Sequence, residues 1–446
     1  MTTIILVIYL LFLVFIAISS FNKIDNHTDF YIARKKGTYK SVTGSLVATI
    51  LGGSAIIGAI DAGSTMGGAT SWFMLCAATG LIMLLPFLKK ISKLGRFTLP
   101  ELIEDLHGKR AKTYASYIIP LAWLGIVAAQ IIASARILQS FTEMPYEIGV
   151  IVTAIVFTFY TIAGGQISIL RTDSLQSILI VAGIAAIAFF THKSGAYISP
   201  EIAKLTFPFN NSFSPIDLFI LVITYATTFT VGPDIYSRIF CAKDHKTARK
   251  SVLSTALILI PVAFIVGYLS IKGAGLNTPE THSATIIDLA LSVLPQWLTP
   301  LIVIALLSAV LSSADTSMLN SAIIVTDLIE KNGFGKSSLK KTRIVVLIIG
   351  GLSLIIALHF TSIIGMLLIA LAVYSGAFTL PVITGLNGIK IKSIYVSVAI
   401  ITGGSIALAG KLWAEYGHSF TGNMIIIASF IVNGIILSVG KQKNEV

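Results

Sequence analysis

Apolar runs of about twenty residues recur along the whole chain and constrain its fold more than any other feature. The hydrocarbon layer of a bilayer is about 30 Å thick, so a helix that crosses it needs about twenty mostly apolar residues. Thirteen such runs are present, near residues 3–20, 41–60, 68–88, 113–140, 145–163, 168–190, 214–236, 251–271, 299–327, 342–359, 362–383, 393–411 and 422–440. Charged residues make up only 12% of the sequence, about half their share in a soluble domain. The pattern predicts an all-α polytopic membrane protein in which residues 1–446 form a single membrane unit.

Lysine and arginine are divided unequally between alternate loops, which predicts the orientation of the helices. Basic residues accumulate in the cytoplasmic loops of membrane proteins. With the N-terminus outside and the C-terminus in the cytoplasm, cytoplasmic loops hold 27 of the 32 basic residues, Arg238 among them, and the opposite loops hold four. The remaining one, Arg136, lies inside an apolar run. We expect a multi-pass protein of a bacterial-type plasma (inner) membrane, with the bilayer as its solvent.

Several classes of protein are disfavoured by the same composition. The net charge of +12 is spread over short clusters between apolar runs, so no basic stripe for nucleic acid is expected. Cys76 and Cys241 are the only cysteines, too few for a disulfide framework or a cysteine-rich metal site. The seven histidines are scattered mainly through loops without the spacing of a metal-dependent enzyme. The first run lacks a preceding basic residue and a convincing cleavage site, so it is expected to remain as a helix. We expect no enzymatic activity and no obligate protein partner.

Two glycine-containing sites predict helices that are broken inside the membrane. The second run reads ATILGGSAIIG and contains Gly52 and Gly53, and the seventh reads ATTFTVGPD and contains Gly232 and Pro233. The two sites lie five runs apart, which is the offset that a five-plus-five inverted repeat requires. Glycine and proline are also common in unbroken membrane helices, and for either site alone that alternative stays open.

Few ionisable residues occur within the apolar runs. The clearest are Arg136, Asp173 and Asp315. A charged side chain in the hydrocarbon costs at least about 2.5–3.5 kcal/mol, so each should face a cavity, a partner or an ion. Two carboxylates at similar depth repel, and a proton or a cation between them relieves the repulsion. A cation site at Asp173 and Asp315 is one interpretation. The other is that Asp315 bonds the backbone or an arginine while Asp173 caps its helix near the cytoplasmic surface.

The ninth run carries a narrow polar stripe. In ALLSAVLSSADTSMLNSA (305–322), small and hydroxyl residues recur every three or four positions and share one helix face. Hard monovalent cations prefer oxygen ligands, which hydroxyls and the freed carbonyls of a broken helix supply. Close helix packing explains such a stripe equally well. The ion site predicted here consists of the carbonyls of Ala48 and Leu51 and the hydroxyls of Ser312 and Ser313, with Ala309 and Thr316 on the same stripe.

Four stretches of sequence together resemble the sodium:solute symporter family. They are RFTLPELIEDLHG (96–108), YTIAGGQISILRTDSLQS (160–177), DIYSRIFCAKD (234–244) and SAVLSSADTSMLNSA (308–322). The resemblance implies a LeuT-like fold, alternating access and coupling to Na⁺. It also implies a first inverted repeat at 41–190, a second at 214–383, one extra N-terminal helix at 3–20 and two extra C-terminal helices at 393–440.

The resemblance extends to the ion sites. It implies that the common sodium site of the family falls on Ala48, Leu51, Ala309, Ser312 and Ser313, which agrees with the set that the residues themselves indicate and adds the backbone of Ala309. Some similar members have a further sodium site, which would fall on Asp173, Ser312, Asp315 and Thr316. The position of Asp315 is a hydroxyl residue in some relatives, so one or two coupling Na⁺ ions are expected.

The solute is predicted from the side chains expected around the break. Ser54 is followed by Ala55, Ile56 and Ile57, which offer a sugar few hydrogen-bond partners. Sialic-acid-type relatives place an arginine at the position that matches Arg136, and a guanidinium fork suits a carboxylate. Alternatively, Arg136 extends to the interface or pairs with Glu143. The candidate solute-lining residues are Gly52, Gly53, Ser54, Trp72, Gln130, Arg136, Tyr225 and Thr228.

These observations predict a Na⁺-coupled symporter that imports a small organic solute, one bearing a carboxylate if Arg136 binds it. Within the same class, a carrier of a zwitterion such as proline, or of a neutral solute, is the alternative. A channel or membrane sensor on the same scaffold belongs to a different class, but channels usually show a filter-like loop or rings of identical residues. No such pattern is present in the sequence.

Overall fold

The computed structural model is almost entirely helical. It describes residues 8–9, 11–13, 15–16, 18–19, 24, 26–94, 97–142, 144–195, 200–275, 285–330, 334–335 and 337–442. Half of the predicted first span, 3–20, lies outside these residues. Within the described part, three isolated β-bridges are the only extended pairing.

The helices follow the predicted apolar runs closely. We number them α1 His27–Ile32, α2 Tyr39–Ile50, α3 Gly53–Asp61, α4 Ser71–Leu84, α5 Leu88–Leu94, α6 Leu99–His107, α7 Lys109–Thr142, α8 Tyr146–Lys193, α9 Pro215–Leu221, α10 Thr227–Val231, α11 Pro233–Cys241, α12 His245–Ala274, α13 Thr285–Val293, α14 Thr299–Ile329, α15 Ser338–His359, α16 Ile363–Leu386, α17 Ser393–Glu415 and α18 Ser419–Val439. Short helical turns at Ala33–Lys35, Gly63–Met66, Gly67–Thr70, Leu85–Phe87 and Pro200–Ala203 connect them. Among the described residues, eleven helical segments are long and apolar enough to cross a membrane.

Helix α8 accounts for two of the predicted spans. A straight helix of its 48 residues would be about 72 Å long, more than twice the hydrocarbon thickness. Gly165 interrupts it with φ 53° and ψ −166°. The Tyr160 hydroxyl lies 2.8 Å from the Thr172 hydroxyl, although twelve residues of straight helix would separate them by about 18 Å. The chain therefore folds back at Gly165, and the predicted spans 145–163 and 168–190 lie on its two arms. The total of thirteen spans stays a prediction.

The first predicted break is present between α2 and α3. Leu51 has φ −80° and ψ 39°, and Gly52 is extended with φ −61° and ψ 157°. Both glycines are required by close packing against α14. A Cβ atom on Gly52 would lie 2.2 Å from the Ser313 Oγ, and one on Gly53 would lie 2.1 Å from a Val310 methyl carbon. The break therefore brings the backbone of this span into direct contact with α14.

A second break separates α10 from α11. Gly232 is extended with φ −72° and ψ 138°, and Pro233 begins α11, where its missing N–H costs nothing. One turn earlier, a π-helical turn at Val222–Ala226 widens the same span. The sequence pattern gave no signal for that turn. Both predicted breaks thus occur as irregular backbone deep in the bundle, where such backbone is tolerated if it lines a cavity.

Burial identifies the helices at the centre of the bundle. In the most apolar stretch of each span, the share of buried residues is 94% for Thr299–Ile329, 89% for Tyr39–Asp61 and 83% for Lys109–Thr142. The corresponding fractions are 39% in Ser338–His359 and 28% in Ser419–Val439. The broken span, α7 and α14 therefore form the interior, and α15 and α18 lie at the lipid-facing periphery.

Candidate ion and solute sites

Two serines of α14 cap the C-terminal end of α2. The last carbonyls of a helix lack partners within it. Here the Ser312 hydroxyl donates to the Ala48 carbonyl at 2.9 Å, and the Ser313 hydroxyl donates to the Thr49 carbonyl at 2.8 Å. The broken span and α14 are therefore joined through oxygen atoms in the middle of the bundle.

The oxygens around Ser312 suit a small hard cation. Its hydroxyl also lies 3.1 Å from the Ala309 carbonyl, and a hydroxyl has only one proton to donate to the two carbonyls. The negative end of the α2 dipole points at the same place. Ala48, Ala309 and Ser312 are thus brought together as the sequence suggested. Ser313 contacts Thr49 rather than Leu51, while Leu51 is buried in the break itself.

The surroundings of Asp173 differ from the second interpretation made from sequence, in which Asp173 caps a helix and an arginine bonds Asp315. Asp173 is fully buried within α8, so the expectation that it caps a helix near the surface is wrong. Its carboxylate accepts hydrogen bonds from the Ser45 hydroxyl and from the Arg238 guanidinium at 3.2 Å. The arginine therefore binds Asp173 and not Asp315.

Arg238 is the residue that the loop assignment placed wrongly. Instead of lying in a cytoplasmic loop, its side chain is completely buried and belongs to α11. It donates to the Ser45 hydroxyl at 2.9 Å, to the Thr49 hydroxyl at 3.1 Å and to the Thr316 hydroxyl. Because Thr49 also accepts from Ser313 through its carbonyl, Arg238 is connected to the capped end of α2.

Two carboxylate oxygens in this region have no hydrogen-bond partner. They are the Oδ1 of Asp173 and the Oδ2 of Asp315, and both side chains are fully buried. Thr316 lies between the two sites, since its hydroxyl is 2.8 Å from the Ser312 carbonyl and 3.3 Å from the Asp315 Oδ1. If both carboxylates are ionised, the single guanidinium of Arg238 leaves one negative charge in this cluster, which a proton or a cation would compensate.

A central cavity of about 60 Å³ lies beside the break. Five of the predicted solute-lining residues line it, namely Gly52, Ser54, Gln130, Tyr225 and Thr228. The Gln130 amide holds the start of α3, because it donates to the Ser54 hydroxyl at 2.6 Å and accepts from the Ser54 N–H at 3.1 Å. The rest of the wall is mainly apolar, contributed by Ile50, Ala55, Ile126, Phe229, Ile235, Leu367 and Leu371.

Three of the candidate solute residues do not line this cavity. Gly53 packs on Val310. The Trp72 indole donates to the Pro208 carbonyl at 3.0 Å. The Arg136 guanidinium lies 3.4 Å from the Asp61 carboxylate and donates to the Thr361 carbonyl at 2.7 Å. Arg136 therefore does not line this cavity in the structure, and its role in solute binding stays a prediction, while its other suggested partner, Glu143, lies outside the described residues.

Asp234 lines the cavity but was missed from the sequence. Its carboxylate accepts hydrogen bonds from the Trp123 indole at 2.9 Å, the Ser317 hydroxyl at 3.0 Å and the Asn320 amide at 2.6 Å. All three donors are neutral. They stabilise the ionised carboxylate by hydrogen bonds, but none of them forms an ion pair with it.

The sequence contained a signal for both missed residues. Asp234 and Arg238 stand four positions apart in DIYSRIFCAKD, so they lie on one face of α11. The break at Gly232 places that face inside the bundle. Hydropathy alone assigned Arg238 to a loop because the predicted run ends at residue 236, and it did not single out Asp234 near the end of that run.

We compared the chain with known protein families, because broken helices around an oxygen-rich centre are typical of secondary transporters. The sequence profile of the sodium:solute symporter family matches residues 30–390. The chain belongs to this family. The family predicted from the four stretches is thereby confirmed, and the chain is a membrane transporter of a small-molecule solute.

Relatives within this family have various solutes. The chain is 24% identical to the osmoregulated proline transporter OpuE of Bacillus subtilis, over 97% of this chain and 93% of that protein. It is 24% identical to the sodium/pantothenate symporter of Haemophilus influenzae, over 72% of this chain and 71% of that protein. At these identities, the family is shared but the solute does not follow.

Solved structures show the same fold. A Na⁺-coupled sialic acid symporter in a substrate-bound, outward-open state aligns with a TM-score of 0.76 at 17% identity, covering 97% of this chain and 98% of that one. Mhp1, a nucleobase-cation-symport-1 family transporter, aligns with a TM-score of 0.54 at 14% identity, covering 93% and 95%. The predicted all-α polytopic fold of the LeuT type is confirmed.

Proposed function

We propose that this protein imports a small organic solute by coupling it to the entry of Na⁺, with alternating access through the central cavity. The observation that carries the proposal is the pair of serine hydroxyls on α14 that cap the broken end of α2. A sodium ion bound there would be coordinated by these hydroxyl and carbonyl oxygens, and that coordination would link the two helices in place of the hydrogen bonds. Ion binding then fixes the break, and the break forms one wall of the solute cavity.

The coupling has a simple energetic basis. One positive charge that moves inward across a potential of 100 mV supplies about 2.3 kcal/mol. That energy is available to the solute only if Na⁺ and solute bind to the same conformation. Gly52 touches Ser313 and also lines the cavity, so ion and solute would stabilise the same arrangement of the broken span.

The buried charges support two cations in each transport cycle. Asp173, Asp234 and Asp315 surround Arg238, which leaves two negative charges uncompensated if all three carboxylates are ionised. We assign one cation to the oxygens between Asp173 and Asp315, where two carboxylate oxygens lack partners. The other belongs near Asp234, and it is the positive group of the solute or a second Na⁺.

The cavity favours a solute with an amino group, as in the zwitterion alternative. A carboxylate, Asp234, lines the cavity, whereas no lysine, arginine or histidine among the described residues does. An anionic solute would meet like charge in a low-dielectric site. The apolar remainder of the wall suits a compact hydrocarbon portion. A carboxylate solute held by Arg136 would require the guanidinium to leave both Asp61 and Thr361.

Uptake into proteoliposomes tests the proposal. Purified protein is reconstituted with an inward Na⁺ gradient or a matched K⁺ gradient, and radiolabelled amino acids, amines, carboxylates and sugars are screened. The proposal expects concentrative uptake of an amine-bearing solute with Na⁺ and none with K⁺. Equal uptake with K⁺ would contradict sodium coupling. Uptake of a carboxylate that Arg136→Ala abolishes would contradict the solute class while leaving sodium coupling intact.

A further inference from the structure

A second, larger cavity of about 540 Å³ lies where α2 begins and α8 turns. We call it the basic pocket and define it by four basic and three hydroxyl residues, which are Arg34, Lys36, Lys40, Arg171, Thr38, Ser41 and Ser174. The rest of its lining is Ala33, Gly37, Ile167 and Leu170, so no acidic side chain contributes in the part of the chain that is described. We propose that the basic pocket binds the phosphate of an anionic phospholipid.

Three of the four basic side chains are available to an anion. Arg34 is held by Asp29, which accepts from its Nε at 2.6 Å and from its Nη2 at 2.7 Å. Lys36, Lys40 and Arg171 are exposed, and no ion pair involves them in the part of the chain that the structure describes. Their charges converge on one concavity instead of being distributed along a loop. Phosphate oxygens accept hydrogen bonds from such groups and from the neighbouring hydroxyls.

The segment that presents Arg34 and Lys36 is held in an unusual conformation. Ala33, Arg34 and Lys35 have φ values of 46°, 58° and 53°, a left-handed conformation that costs non-glycine residues free energy. The segment is fixed to the end of α11, because the Gly37 N–H donates to the Cys241 carbonyl at 2.9 Å and the Lys243 N–H donates to the Gly37 carbonyl at 3.1 Å. The pocket is thus formed by the fold before any ligand binds.

The position of Arg171 favours a lipid over a soluble phosphate compound. One and two turns further along α8, Leu175 is 42% exposed and Ile178 is 66% exposed, on the same helix face as Arg171. This face continues from the pocket into the apolar zone of a membrane-spanning arm. A phospholipid can place its phosphate among the basic groups and an acyl chain along Leu175 and Ile178. Within the described residues no aromatic side chain lines the pocket, so a nucleotide base would find no stacking surface there.

Such a lipid would connect two parts of the bundle. Lys36 and Lys40 belong to the start of the broken span, and Arg171 belongs to the second arm of α8. The predicted orientation places the pocket on the cytoplasmic side, where bilayers present anionic headgroups. Lipid binding there would therefore stabilise one relative position of these two elements. The proposal does not depend on the identity of the transported solute.

The test compares lipid binding by two triple variants of the full-length protein. The pocket variant is Lys36→Gln/Lys40→Gln/Arg171→Gln. The control variant is Lys89→Gln/Lys390→Gln/Lys392→Gln, which removes the same charge from three exposed lysines in other loops predicted to be cytoplasmic. Binding of phosphatidylglycerol and phosphatidylcholine is measured by native mass spectrometry of detergent-solubilised protein, with inorganic phosphate as a competitor.

The pocket variant should lose at least about tenfold in phosphatidylglycerol affinity, since each basic group near a membrane surface contributes measurably to binding of anionic lipid. The control variant and phosphatidylcholine binding should be unchanged. An equal loss in both triple variants would show only a general effect of surface charge and would overturn the proposal. Displacement of the lipid by millimolar inorganic phosphate would assign the pocket to a free anion and overturn the lipid assignment. The single variant Arg171→Lys keeps the charge and should retain binding, which separates loss of the site from loss of folding.

Discussion

Replacement of Arg238 is the sharpest test of the buried charge cluster. Arg238→Met removes a guanidinium that is fully buried, bonded to Asp173 and in contact with four hydroxyl groups. Breaking a buried ion pair by removal of one partner typically costs about 3–5 kcal/mol, because the other charge is left uncompensated. We therefore expect the free energy of unfolding, measured by SDS titration in mixed micelles, to fall by about that amount.

A second substitution in the same chain separates charge from packing. In Arg238→Met/Asp173→Asn the stranded charge is gone, so the double variant should be more stable than Arg238→Met alone. Arg136→Met provides the matched control, because Arg136 and Asp61 are both 23% exposed and such pairs contribute only about 0–1 kcal/mol. The single variant Asp173→Asn completes the comparison. If the losses of unfolding free energy in Arg238→Met and Asp173→Asn add up to the loss in the double variant, the two groups do not interact, and the charge argument is refuted.

Three further predictions concern the packing of Gly53, the charge of Asp234 and the burial of His107. Gly53→Ala should destabilise the protein by about 1–3 kcal/mol through overpacking against α14, whereas Gly351→Ala, where nothing lies within 4 Å of the new Cβ, should be neutral in the same thermal melt. Asp234→Asn should abolish uptake of an amine-bearing solute in proteoliposomes while preserving stabilisation by Na⁺, and uptake at the wild-type rate would contradict the role of Asp234. His107 lies in α6 outside the spans, and burial lowers its pKa. The unfolded chain therefore binds a proton more readily, and His107 contributes stability that is complete above about pH 6.5 and is lost as the pH falls from there through the lowered pKa. A melting temperature that falls equally in His107→Gln over this range would contradict that assignment.

The broken helix was predictable because its cause is local. Two adjacent glycines in an apolar run weaken the helix at one point, and hydroxyls at helical spacing identify the α14 face that meets it. Ala48, Ala309 and Ser312 could therefore be grouped from sequence. The fold-back at Gly165 was also visible as a polar interruption between two apolar runs, although the structure joins both runs in one long helical element.

The charge partners were not predictable from local pattern. The positive-inside count treats every basic residue beside an apolar run as a loop residue, so Arg238 was counted with its exposed neighbours. Its burial depends on the second break, which turns α11 inward. The contacts of Arg136 were not predictable for a related reason, since the rotation of α7 about its axis decides whether a side chain meets the cavity or Asp61. Periodicity does not determine that rotation when a helix is apolar on most of its faces.

The most direct test of the account is a sodium titration of thermal stability in Ser312→Ala. Purified wild-type protein should gain melting temperature with increasing Na⁺ at constant ionic strength, with K⁺ as the counter-titrant. Ser312→Ala should lose most of that gain. The control is Ser321→Ala on the same helix, whose buried hydroxyl has no hydrogen-bond partner, and it should respond like the wild type. A full response to Na⁺ in Ser312→Ala would contradict the assignment of a coupling ion to the oxygens between α2 and α14.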